Sequence, residues 1–326
     1  MLHFLVTSDH SYTMRDYFLH WGAALASQVR ILGYETMPWT REPLPGAWIF
    51  TDLERLRPAE FESACSFAQR LSADPARWKV LNEPRKVLLR HALMRDLHAA
   101  GINDFRAFRL SDLPDDLRYP LFLRGENDHD GAATDLLHDA GQLRSAQGRL
   151  RNPEGMLAVE YLPYEREDGL FIKYSMMRIG EDLVPRHKFF SRHWVLKDPN
   201  LLDEPLMQEE DQYVNHPPHS QAIQDVFQRS GIDYGRIDYT VVNGRIQVFE
   251  INTNPVVLRG IRKLAPRRWS SQAVSARLIN DALARLAAGL PEANPVRARA
   301  EVRTQHLRWQ VHRVLRKLRL GPRRRR

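Results

Sequence analysis

One segment constrains this chain more than any other: Gly231 to Gly260, GIDYGRIDYTVVNGRIQVFEINTNPVVLRG. Two runs rich in β-branched residues, Ile237 to Val242 and Arg245 to Ile251, are joined by Asn243-Gly244, the pair most favourable to a two-residue hairpin turn. The segment predicts two antiparallel strands. Asp238 stands five residues before Asn243 and Glu250 six after Gly244, so the hairpin returns both to the same end. Asn252 shares the face of Glu250, and Arg236 that of Asp238, by the period of two. Acidic residues on a hairpin are ordinarily just solvated. Here Glu250 and Asn252 interrupt an apolar run, VFEIN, where an unpartnered polar group costs roughly 2–7 kcal/mol. A site is the better reading. Two carboxylates and an amide oxygen, without His or Cys, suit a hard cation that keeps waters and shares phosphate oxygens, Mg²⁺ or Mn²⁺.

At 326 residues, 43% hydrophobic and 27% charged, the chain has apolar content for about two globular domains, which excludes a fibrous or wholly disordered protein. Cys65 is the single cysteine, so neither an internal disulfide nor a cysteine zinc site is available, and a reduced, cytoplasmic setting is expected. No apolar run reaches the length of a signal-peptide core or a membrane span. The net charge of +8 invites a nucleic-acid reading until it is located. From Val296 to Arg326 there are 11 Arg and 1 Lys against Glu301 alone, a tail of +11 that leaves the remaining residues at −3. The basic character belongs to an appendage. Within it Leu307, Val311, Val314 and Leu318 form one stripe among arginines, the pattern of a basic amphipathic helix with an anionic partner, or of a solvated terminal helix.

Upstream, LHFLVTSD and Gly46 to Leu53 read as buried strands. Between them, Thr13 to Leu32 carries Tyr17, Trp21, Leu25 and Val29 at helical spacing. A helix from Ala59 to Ser72 and a strand at WKVLN complete a small α/β module. Arg85 to Ala100 is helical, with Gly101 placed to end it and Lys86 and Arg90 on one face, which solvent can cover. YPLFLR (Tyr119 to Arg124) is an apolar strand with a charged end, GENDHDGAAT a polar loop, and TDLLHDAGQLRSA a helix. MLAVEYLP and LFIKYSMMRIGEDLVP are strand-like, the second turning at Gly180. The polar, proline-containing stretch from Ser191 to His219 has the character of a lid or substrate loop rather than a packed element.

GRIDYTVVNGRIQVFEINTNP resembles the last motif of the ATP-grasp superfamily, typified by D-alanine:D-alanine ligases and related carboxylate-amine ligases, in which a GRxD strand precedes an ExNxxP strand. The resemblance implies an α/β (α+β ATP-grasp) architecture: a small N-terminal module over 1–81, an ATP-grasp domain over 82–268 whose two subdomains clasp ATP about a hinge near 160, and C-terminal helices with the basic tail over 269–326. It implies that Asp238, Glu250 and Asn252 bind Mg²⁺ on ATP and that Arg236 steadies the reacting oxyanion. Arg124 stands where the family has a phosphate-contacting Lys, which keeps the charge and changes the geometry. The loop after it, with Gly131 and His129, stands where the family covers the phosphates with glycines. Glu160 matches the acceptor of the adenine amino group, with Tyr161 and Leu162 as backbone contacts. Lys173 and Lys197 are the choices for basic residues on the β and γ phosphates; Lys86 and Arg90 rank lower.

The activity so implied is an ATP- and Mg²⁺-dependent ligase that joins a carboxylate to an amine through an acylphosphate. Small-molecule or peptide substrates are both compatible, and the sequence carries no code for either substrate or for oligomeric state. Two rivals stand beside it: a small-molecule kinase on the same fold, and a nucleic-acid or anionic-membrane binder acting through the tail.

Overall fold

The computed structural model describes residues 1–128, 131–196, 201–260 and 264–290. His129, Lys197 and the tail from Val296 lie outside the described residues. The chain divides into two compact units. The first takes Met1–Arg85, Thr253–Pro266 and the chain from Ala276 onward; the second takes Lys86–Asn252 and Arg267–Ser275.

The first unit is built on β1 (Leu2–Val6), α1 (Tyr12–His20), β2 (Val29–Gly33), β3 (Gly46–Phe50), α2 (Pro58–Ser72) and β4 (Trp78–Leu81). Its four strands are all parallel, in the order β2-β1-β3-β4. Every residue of β1 and β3 is buried, which explains why both read as continuous apolar runs. The helix expected over Thr13 to Leu32 is corrected: α1 stops at His20, and Val29 lies on β2, paired with Leu2. The i, i+4 spacing there is a coincidence. At Gly22 an added Cβ would fall 2.7 Å from the Tyr17 ring, and Val29-Arg-Ile-Leu pairs along β1 instead of continuing a helix. Thr253 and Asn254 belong to this unit, where both hydrogen-bond Asp52 in the loop after β3, Thr253 Oγ1 accepting its N–H at 3.1 Å and Asn254 Nδ2 donating to Oδ2 at 2.8 Å. Cys65 is buried on α2, and burial pushes its thiol up, which suits packing rather than nucleophilic chemistry.

The second unit runs α3 (Arg90–Ala99), β5 (Ala107–Arg109), β6 (Leu121–Gly125), α4 (Ala140–Arg149), β7 (Met156–Glu160), β8 (Phe171–Ile179), β9 (Asp182–Ser191), α5 (Glu204–Asn215), α6 (Ser220–Ser230), β10 (Tyr234–Val242) and β11 (Arg245–Asn252). Helix α7 (Trp269–Ala287) has its first turns in this unit and the rest in the first. One antiparallel sheet has the order β5-β7-β6, the other β11-β10-β8-β9. The α3–β5 loop docks on β11: Asn103 donates from Nδ2 to the Val248 carbonyl at 2.9 Å and accepts the Val248 N–H at 2.8 Å.

The stretch from Ser191 to His219 departs from its expected lid character. It contains α5, which buries Leu206, Met207, Glu210, Tyr213 and Val214. That is an amphipathic stripe at 3.6-residue spacing, opened by Pro205 in the first turn, where a proline costs no hydrogen bond. Glu210 is buried at its centre and is held by Arg268 at 2.7 and 3.0 Å. No helix among the described residues is long and apolar enough to cross a membrane.

Candidate active site

The hairpin forms as its sequence dictates. Asn243 and Gly244 take φ of 50° and 75°, the left-handed pair that a tight two-residue turn requires. From the turn the register runs Val242↔Arg245 to Tyr239↔Val248 and then shifts, so that Asp238 faces Glu250 and Arg236 faces Asn252. Phe249 is the extra residue of this bulge. Without it Asp238 would face Phe249 and the two carboxylates would point to opposite faces. On its other side Asp238 pairs with Ser175 of β8, which pairs with His187 of β9. His187, Ser175, Asp238 and Glu250 thus form one row across four strands, and cross-strand partners share a face.

Both carboxylates of that row are held by cations. Asp238, 3% exposed, accepts from Ser175 Oγ at 2.6 Å and Arg236 Nε at 3.1 Å through Oδ1, and Lys173 Nζ lies 3.3 Å from Oδ2. Burial pushes its carboxyl up, but Arg236 and Lys173 outweigh that and hold it below the ordinary value. Glu250 Oε2 accepts from Arg90 Nη2 at 2.6 Å and Arg124 Nη2 at 2.9 Å. Burial pulls the Arg124 guanidinium down from its usual range, opposed by Glu250. Four cations, Arg90, Arg124, Lys173 and Arg236, surround two anions. The six side chains carry a net +2.

That surplus, with the oxygen-only donor set, fits a metal-chelated polyphosphate. Among the described residues no three His, Cys, Asp or Glu side chains cluster as a metal cage. Two carboxylates and an amide suit a cation that brings its remaining ligands with it as phosphate oxygens and waters. Arg124 Nε, buried and without a hydrogen-bond partner, adds a donor in want of an acceptor.

The sequence puts Arg90 on a face that solvent can cover, and the structure buries it. Its Nη1 gathers the carbonyls of Gly125, Glu126 and Asp128 at 3.0, 2.7 and 2.6 Å, while its Nη2 holds Glu250. One guanidinium therefore joins the loop after β6 to the acidic pair. A cation spaced four residues from another at a helix start was the only sequence signal for it. Past the loop, Gly131 takes φ of 88°, Ala132 bridges to Arg124, and Ala133 N–H donates to the Leu123 carbonyl at 2.7 Å, so the chain doubles back along β6.

No protein-family model and no curated protein sequence matches this chain. Solved structures do. The D-alanine–D-alanine ligase of Bacillus anthracis, complexed with ATP, aligns with a TM-score of 0.51 at 13% identity over 92% of this chain and 98% of that one. The D-alanine–D-alanine ligase of Coxiella burnetii aligns with a TM-score of 0.51 at 12% identity over 97% and 98%. The chain has the ATP-grasp fold.

In ATP-grasp terms, β5-β7-β6 and β11-β10-β8-β9 are the two sheets of the second unit, and Glu160 ends β7. Its side chain differs from the open acceptor that the resemblance implies. The carboxylate is 3% exposed, and both oxygens are taken by Arg106 and Arg118 and by their backbone N–H groups. Burial pushes it up, and the two arginines more than reverse that. The Tyr161 N–H is also engaged, donating to the Pro120 carbonyl at 2.9 Å. Leu162 packs with Phe122 and Phe249 on the Phe105–Val159 cluster. The structure thus brings Arg124, Lys173, Arg236, Asp238 and Glu250 together, pairs Asn252 with Arg236, and places Glu160 in a separate ion-pair hub.

Proposed function

We propose that the protein is an ATP- and Mg²⁺-dependent ligase that activates a carboxylate as an acylphosphate and passes the acyl group to an amine. The observation that supports this reading best is the paired Asp238 and Glu250 enclosed by four cations with net +2. A triphosphate brought beside a carboxylate must have its charge neutralised, and cations already gathered at a largely buried site supply that charge. Lys173, Arg236, Arg90 and Arg124 would then exchange part of their hold on the carboxylates for phosphate oxygens. Asp238, Glu250 and Asn252 would hold Mg²⁺, which when bound supplies charge neutralisation on the phosphates. Arg236, anchored through Nε on Asp238, would present its remaining N–H groups to the oxygen that gains charge. Arg90, tied to both loop and acid, would set the height of the phosphate loop. No covalent enzyme nucleophile is needed.

The test is ADP release across paired acids and amines. The reading expects sustained, multiple-turnover ADP release with Mg²⁺ only when both an acid and an amine are present, with one phosphate released per ligation. A stable phosphorylated product without any amine would instead make the protein a kinase. Absence of ADP with every pair, alongside absence of nucleotide binding, would remove ATP chemistry altogether.

A further inference from the structure

The row that carries the acids begins with a side chain that the proposed mechanism does not use. His187 of β9 is 6% exposed, and its Nε2 is buried with no hydrogen-bond partner. Leaving a ring nitrogen so costs about 1–3 kcal/mol, and native interiors rarely do it unless water or a ligand completes the bond. The ring is held in place by stacking on Phe189, with centroids 3.7 Å apart and planes 12° from parallel. Across the register it stands opposite Ser175, whose Oγ bonds Asp238.

Its surroundings decide what the ring can do. Burial pulls the imidazole well below its usual value, and Arg236, Arg268, Lys173 and Arg186 pull it further. The acids of the row, Asp238 and Glu250, are already held, by Lys173 and Arg236 and by Arg90 and Arg124, and Arg268 holds Glu210. A ring kept neutral by a positive field is a poor proton acceptor. It remains a good hydrogen-bond donor, and the same field attracts a negatively charged oxygen.

Resting on the ligase reading, we propose that His187 is a substrate-contacting residue whose Nε2–H donates to an anionic oxygen of the reacting centre. That oxygen belongs either to the γ-phosphoryl group or to the substrate carboxylate.

Side-chain ¹⁵N spectra of histidine-labelled full-length protein test this, with Mg-ADP, Mg-AMP-PNP, and acetate added to the Mg-AMP-PNP complex as probes. The proposal expects a neutral His187 protonated at Nε2. A shift of its Nε2–H signal between Mg-ADP and Mg-AMP-PNP assigns the oxygen to phosphate; a shift only with acetate assigns it to carboxylate. His187→Leu should weaken binding of the probe so identified by about tenfold, the worth of one such bond. His187→Gln, whose amide nitrogen reaches the place of Nε2, should stay within about threefold of wild type. An Nε2 without a proton, a signal that neither probe moves, or a Leu variant that binds like wild type overturns the proposal while leaving ATP binding intact. Wild-type protein that gives no heat with Mg-AMP-PNP overturns the ligase reading, and this proposal with it.

Discussion

Glu160→Gln separates a structural from a nucleotide-binding role for the residue at the end of β7. In the folded protein Glu160 Oε1 accepts from Arg106 Nη2 at 2.6 Å and Oε2 from Arg118 Nε at 2.9 Å, with the backbone N–H groups of both arginines at 3.0–3.1 Å. Glutamine removes the charge and turns an NH₂ toward groups that are themselves donors. Removing one partner of a buried ion pair costs roughly 3–5 kcal/mol. Arg118 is 54% exposed and its share is screened, so the lower end, about 3 kcal/mol, is expected. Urea denaturation should show the midpoint falling by about 0.5–1 M at unchanged slope, the slope of a chain this long being at or above about 3 kcal/mol/M. Because the folded carboxyl is held below its ordinary value, this stabilisation is complete above the pKa of the unfolded chain and is lost as the pH falls through the folded one. The difference between variant and wild type should therefore shrink only in acid. Nucleotide affinity of the folded variant, measured well below its midpoint, should stay within about threefold of wild type, since no unengaged carboxylate oxygen is lost. A variant as stable as wild type, or one that loses ATP affinity selectively over GTP, would refute this account.

Asp238→Asn raises the local charge from +2 to +3 by releasing Lys173 and Arg236. Calorimetry should show Mg²⁺-dependent ATP binding weakened by about 2–5 kcal/mol, with metal-free ATP bound as well as or better than by wild type. At Gly125 an added Cβ would lie 1.8 Å from Asp128 Oδ2, in the loop whose carbonyls Arg90 gathers. Asp128 is partly exposed and its carboxylate can swing aside, so Gly125→Ala should cost no more than about 1 kcal/mol by thermal melting and shift the loop enough to weaken Mg-ATP binding by titration. Gly244 takes φ of 75° with nothing within 4 Å of an added Cβ. Gly244→Ala should therefore cost only its backbone strain, about 1–2 kcal/mol in urea unfolding, and leave nucleotide affinity unchanged.

The hairpin, and the placing of Asp238, Glu250, Asn252 and Arg236 at one end of it, are legible because alternation and an Asn-Gly turn are local signals. The bulge at Phe249 is not, since no residue type marks it, yet it decides that the two acids share a face. Arg90 reads as wet because the sequence extends the helix back to Arg85, whereas α3 begins at Arg90, and from that first position its guanidinium turns to the loop carbonyls and Glu250. In the first unit, β2 was absorbed into a helix by apolar residues that fell four apart by chance. The reverse error hid α5, whose apolar stripe is interrupted by Glu210, an acid that reads as wet until Arg268, distant in sequence, is seen to hold it. Glu160 shows the same limit: its type and position matched an adenine acceptor, and only the fold reveals two arginines already on it.

The central claim is that the Asp238–Glu250 pair and its four cations hold a metal-chelated triphosphate. It is tested most directly by calorimetric titration of ATP into the wild-type protein, once with Mg²⁺ and once with a chelator. The account predicts saturable 1:1 heat with Mg²⁺ and affinity at least about tenfold weaker without it. No heat in either titration, or equal affinity in both, would contradict it.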